Sequence, residues 1–191
     1  MPRPALPVLI AITLPVLLAV TVAAIAITAR VRGVDGTGGI EPPPATGPLA
    51  VVPIDAPHAS GPECVAVLAT LPAALPASDG PLPPRPLVEP APDGVRAWAA
   101  APRPVVLRCG LPRPAELTPM SALLEVDGVR WLELDDGNVA DPGNNSVVTY
   151  VAVDRPVYVV LTTSTGAGSG PLQVVSEAVR AALPATPVAV R

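Results

Sequence analysis

The stretch Ala122-Leu123-Leu124-Glu125-Val126-Asp127-Gly128-Val129-Arg130-Trp131-Leu132-Glu133 carries the clearest fold signal in the chain. Two strand-like runs flank the dipeptide Asp127-Gly128, which tolerates the positive φ angles of a two-residue type I′ turn. Such a turn sets Val126 opposite Val129 and Leu124 opposite Trp131 on one face, and Glu125 opposite Arg130 on the other. An apolar face and a cross-strand ion pair therefore agree on one register. Trp131 reads as a core aromatic rather than a ligand platform.

Working outward, a second hairpin is expected from Val147 to Val153, a turn at Asp154-Arg155, and Pro156 to Thr163. Its alternating Val, Tyr and Leu content is strand-like, and a proline at the start of a strand suits an edge. In Pro104-Val105-Val106-Leu107-Arg108-Cys109, alternation puts Val105, Leu107 and Cys109 on one strand face. Cys64, Val67, Leu68 and Leu71 fall at i, i+3, i+4 and i+7, the face of a helix. Ser60-Gly61-Pro62-Glu63 reads as its capping box, with Ser60 as N-cap, and Pro72 or Pro76 as its end.

Asp93 reads as the cap of a short helix carrying Trp98, and Leu49-Ala50-Val51-Val52 as a first edge strand bounded by Pro53 and Pro57. A last helix is expected over Pro171 to Leu183, with Leu172, Val175, Val179 and Ala182 as its stripe and Pro184 as its stop. Between the cysteines, Asp79 to Asp93 is a stiff proline-rich loop. It is either a polyproline II recognition segment or simply a rigid connector. The fold class that follows is α+β: an N-terminal transmembrane helix, then a small antiparallel sheet of about five strands with helices packed on one face.

The transmembrane expectation comes from residues 1–32. Arg3 precedes an uncharged apolar run, and Arg30 and Arg32 close it. Leu6 to Ala29 spans about 36 Å as a helix, enough to cross a bilayer core of about 30 Å. A signal peptide cleaved after Ala24-Ile25-Ala26 is the rival, but the run continues past that site without a polar region. The flanking arginines leave the positive-inside rule almost tied. Residues 33–48 then read as a Gly/Pro-rich linker, 49–184 as the α+β domain and 185–191 as a tail.

Beyond the anchor stand nine arginines against 16 acids, a net charge of −7. That balance speaks against nucleic-acid partners. Cys64 and Cys109 are the two cysteines. An even count behind an export segment, with both sulfurs on apolar faces, favours one disulfide tying helix to sheet. The alternative is a pair of buried free thiols in a cytosolic domain. Two cysteines and the single His58 are too few for a closed zinc site, and no metal or other cofactor is expected.

Few residues suggest chemistry. Gly166-Ala167-Gly168-Ser169-Gly170 precedes a helix, where backbone N–H groups can hold an anion. It lacks the third glycine of a dinucleotide motif, the lysine of a P-loop and the flanking glycines of a nucleophile elbow, so a flexible connector is the simpler reading. Asp135, Asp136, Asn138, Asp141, Asn144 and Asn145 offer oxygen ligands without EF-hand spacing. Asn144-Asn145-Ser146 matches a short glycosylation sequon. His58 has no evident triad partner.

The chain resembles a family of exported actinobacterial proteins, domain-of-unknown-function family 3515, over about residues 49–184. The matching pieces are Pro62-Glu63-Cys64, Trp98, and Val105-Val106-Leu107-Arg108-Cys109-Gly110-Leu111-Pro112-Arg113-Pro114. They continue through Leu117-Thr118-Pro119, Asp127-Gly128-Val129-Arg130-Trp131, Asp154-Arg155-Pro156-Val157-Tyr158-Val159 and the closing helix. The chain departs from the family pattern at Ala99-Ala100-Ala101 and in the long Asp135–Ser146 loop. The resemblance implies an N-terminal membrane segment and a paired cysteine, and assigns no catalytic residue.

Arg108, Arg113 and Arg155 stand at the matched stretches. They can bind an anion such as a carboxylate or phosphate, or simply pair with acids on the sheet. The function expected is a single-pass, membrane-anchored extracytoplasmic domain. It would bind an envelope protein or cell-wall component without catalysis. The alternatives are an envelope enzyme or metal-dependent hydrolase built on Asp135, Asp136 and Asp141, and a protein secreted after signal cleavage.

Overall fold

The computed structural model describes residues 45–135 and 146–190. The apolar run of residues 6–29, most of the linker, and Asp136 to Asn145 lie outside them. Among the described residues no helix is long and apolar enough to cross a membrane.

Among the described residues, six strands form one antiparallel sheet, accompanied by two α-helices. In chain order these are α1 (Pro62–Thr70), β1 (Val95–Trp98), β2 (Val105–Leu111), β3 (Leu123–Val126), β4 (Val129–Asp135), β5 (Val147–Ala152), β6 (Tyr158–Ser164) and α2 (Gly170–Ala182). The spatial order is β1-β2-β6-β5-β4-β3. The chain leaves β2 near the middle, crosses to the far edge, and returns as a four-strand meander that sets β6 beside β2.

The β3–β4 hairpin has the expected register. Leu124 faces Trp131, Glu125 faces Arg130 and Val126 faces Val129. Asp127 and Gly128 take φ values of 49° and 73°, as a type I′ turn requires. The Arg130–Glu125 pair stands at 3.7 Å with both side chains exposed, so it supports register more than stability.

One sheet face meets both helices. Cys64 and Val67 of α1, and Leu172, Val175 and Val179 of α2, pack with Val105, Leu107, Cys109, Val159, Leu161 and Trp131. The stripe expected of the last helix is the one that packs inward. Trp131 is fully buried, and its indole N–H donates to Ser176 Oγ at 2.9 Å, which in turn donates to the Leu172 carbonyl at 2.7 Å. A lone indole donor in an apolar layer is thereby satisfied. At the centre, Cys64 and Cys109 form a disulfide, with Cα atoms 5.6 Å apart. The opposite face carries a second cluster, Leu117, Leu132, Val151, Val153 and Val160, with Val188 of the C-terminal segment packed on it.

Several expectations are corrected. The sheet has six strands rather than about five, because Val95–Trp98 is a strand and not a short helix. Its residues pair with Val105–Arg108 of β2, and that ladder outweighs the helix propensity of so short a run. Ser60 is not the cap of α1: the N-cap is Gly61, without a side-chain bond, and the Ser60 hydroxyl donates to Asp93 Oδ2 at 2.7 Å. Leu49 makes only an isolated parallel bridge to Leu87, so 49–52 is a strap rather than a sheet strand.

Gly110 interrupts β2 with φ 88° and shifts the register against β6 between Cys109 and Leu111. The backbone of His58 and Ala59 lies directly over it. A Cβ there would sit 2.3 Å from the Ala59 nitrogen, and His58 N–H donates to the Gly110 carbonyl at 3.2 Å. Gly110→Ala therefore combines a left-handed backbone penalty with a main-chain collision. It should cost about 3 kcal/mol or more, read as a lower urea midpoint with an unchanged m-value.

Candidate binding cleft

The three arginines singled out from sequence all end on main-chain carbonyls. Arg108, on β2, is half-buried, and its Nη2 donates to the Val52 carbonyl at 3.1 Å, holding the strap onto the sheet. Burial pulls its guanidinium below the ordinary arginine value. Arg113, in the connection after β2, donates from Nε to the Ala189 carbonyl at 2.9 Å and from Nη2 to the Leu117 carbonyl. It ties the C-terminal segment to the β2–β3 connection.

Arg155 lies in the β5–β6 turn with its side chain 2% exposed. Its Nη1 meets Asp154 Oδ1 at 2.9 Å and the Asp154 carbonyl at 2.9 Å, and its Nη2 donates to the Gly128 carbonyl at 2.8 Å. Asp154 Oδ1 also accepts the Arg130 N–H at 3.1 Å, and its carbonyl accepts Thr186 N–H at 2.8 Å. Two hairpin turns and the C-terminal segment thus meet on one buried ion pair. The three arginines brace three different junctions, and no hydrogen bond links them to one another.

The Gly166–Gly170 loop is also engaged. Ser78 N–H donates to the Ala167 carbonyl at 3.2 Å, and Gly170 lies tight against the Pro76 carbonyl. His58 is exposed. Among the described residues no cluster of His, Cys, Asp and Glu is placed to hold a metal ion. Asp136, Asn138, Asp141, Asn144 and Asn145 lie outside the described residues. On the helix side of the sheet, burial and then the Glu133 charge raise the Tyr150 phenol above its usual range.

A concave site does lie at the β1 edge. A cleft of about 480 Å³ opens between the proline-rich segment 84–93, β1 and Leu68 of α1. Its walls are mostly ring and aliphatic carbons, and its one strand-borne charge is Arg96. Arg96 makes only a long 3.4 Å contact to the Val95 carbonyl. Its volume falls within the range of small-ligand pockets, about 300 to 1,000 Å³. Sequence reading passed over Arg96 because its strand was read as a helix. The available signal was the proline run beside it, which cannot complete a β-ladder.

A family model described as "Protein of unknown function (DUF3515)" matches residues 12–188. The chain belongs to that family. No curated protein and no solved structure matches it. In this DUF3515 chain the stretches carrying the resemblance coincide with the joints just described. Leu107-Arg108-Cys109-Gly110 holds the disulfide and the register shift, Asp127-Gly128 the turn, and Asp154-Arg155 the buried pair.

Arg155→Met removes the cation while leaving Asp154 buried. It should destabilise the fold by about 3–5 kcal/mol, the usual cost of stranding one member of a buried pair. Arg113→Met, acting at a more exposed junction, should cost clearly less in the same denaturation series.

Proposed function

We propose that the chain is a membrane-anchored, extracytoplasmic binding domain of the cell envelope that acts without catalysis. The observation that carries this reading is the Cys64–Cys109 disulfide, sealed in the core with both residues at most 1% exposed. Structural disulfides form and persist in oxidising compartments. Joined to an apolar run long enough to span a bilayer, it supports a domain held outside the membrane. The β1-edge cleft supports binding as the activity: it offers a shaped apolar wall and a cation with no carboxylate on it. Arg108, Arg113 and Arg155 support the fold that frames this cleft, and Arg96 takes the anion-recognition role in their place.

Protease treatment of intact cells tests the topology. The domain should be digested from outside while a cytoplasmic control protein survives. A domain protected until the cells are permeabilised would overturn the outward placement. The size of the membrane-retained fragment then separates an uncleaved anchor from a processed one.

A further inference from the structure

The β1 edge carries more than a cavity. Segment 83–85 runs beside β1 as an incomplete strand: Arg85 N–H donates to the Ala97 carbonyl and Ala99 N–H to the Pro83 carbonyl, both at 2.8 Å. Pro83 has no N–H to donate to the Ala99 carbonyl opposite it, so the ladder stays incomplete. Past Arg85 the chain swings away through Leu87 and the Glu89–Pro90 bond and rejoins β1 at Gly94.

The Gly94 carbonyl accepts from Cys109 N–H at 2.8 Å, so residues 94, 96 and 98 turn their main-chain groups toward β2. By strand alternation the groups of Val95 and Ala97 point the other way, into the cleft. Ala97 uses its carbonyl on Arg85. Past the end of segment 83–85, the N–H and carbonyl of Val95 have no backbone partner among the described residues, and the carbonyl meets only Arg96 Nη1 at 3.4 Å.

Charge is arranged to match. Arg85, Glu89 and Asp93 line the same cleft, but each is occupied locally: Arg85 Nε donates to the Gly47 carbonyl at 2.8 Å. Glu89 Oε2 accepts Ala91 N–H at 3.0 Å, and Asp93 Oδ2 accepts the Ser60 hydroxyl at 2.7 Å. Neither forms an ion pair with Arg96, since the described salt bridges are Arg130–Glu125 and Arg155–Asp154. The cleft therefore combines the unpaired main chain of Val95, the exposed guanidinium of Arg96, and a wall of Leu68, Pro84, Pro86 and Leu87.

We propose that this cleft binds a short, extended, peptide-like ligand bearing a carboxylate. The ligand's main chain pairs with β1 at Val95, beyond the position that Arg85 already takes opposite Ala97, as in strand addition at a sheet edge. Its carboxylate pairs with Arg96, and small apolar side chains lie against the proline wall. This deepens the binding-domain reading and rests on it.

The test uses the full chain, isotope-labelled in detergent micelles and titrated with the tripeptide Ala-Ala-Ala, with the C-terminal amide of the same tripeptide as comparison. Backbone amide resonances of Val95 and Leu87 should move on addition of the free acid. The amide should bind at least about tenfold more weakly, as loss of a charge-assisted bond implies. Arg96→Gln, an exposed change that leaves the core intact, should weaken the free acid to the same degree. Arg130→Gln, on the far hairpin, should bind like the native chain. An unmoved Val95 resonance at millimolar peptide, equal binding of acid and amide, or native affinity in Arg96→Gln would each overturn the proposal. Protection from external protease would leave this result standing and sink only the topology, so the two failures are distinguishable.

Discussion

The Cys64–Cys109 bond is the constraint on which the rest of the structure depends. It joins α1 to the middle of β2 and seals the helix layer onto the sheet. Between the cysteines run the mostly irregular proline-rich segment and β1, the strand that carries the buried Trp98. Closing a loop of that length removes about 4 kcal/mol of unfolded-state entropy in the chain-entropy model. The composition makes such a link valuable. The chain has no phenylalanine and only two tryptophans and two tyrosines, so most of its core is Val, Leu and Ala. Each buries less area than an aromatic ring. Trp98 and Trp131, both at most 2% exposed, supply the large side chains of the layer.

A second economy lies in the arginines. The face away from the helices is covered by irregular chain: the strap near Val52, the β2–β3 connection and the C-terminal segment. Irregular backbone leaves carbonyls that no ladder satisfies. Arg108 and Arg113 reach those carbonyls, Arg155 reaches the turn carbonyls of Gly128 and Asp154, and a guanidinium with five donors suits the task. Arg155 does so from a fully buried position, with Asp154 as its counter-ion. Arg96 is on the opposite face at the sheet margin, reaches only the Val95 carbonyl of its own strand, and lines the cleft together with Arg85.

Much of this was legible in the residues. The Asp127-Gly128 turn fixed its hairpin register, because turn chemistry, face polarity and the Glu125–Arg130 pair all pointed one way. The cysteine pairing followed from two local periodicities, and the stripe of α2 from a third. What failed depended on distant partners. Val95–Trp98 is a strand because β2 lies beside it. Ser60 is drawn from its cap position by Asp93, 33 residues away. The C-terminal residues read as a tail are pinned by Arg113 and Asp154. The cleft was hidden for the same reason: its donors are main-chain groups of a strand whose partner is rich in proline, and neither shows in side-chain motifs.

The sealed disulfide and the arginine-marked cleft at the sheet edge are the features on which the proposed outward-facing binding domain rests. The pairing of Cys64 with Cys109 in the living cell tests this most directly. Intact cells are quenched with a membrane-permeant alkylating agent, and the chain is then reduced, labelled with a second thiol reagent and mapped. The account predicts that both cysteines escape the first reagent and take the second quantitatively. Labelling of either as a free thiol by the first reagent would contradict it.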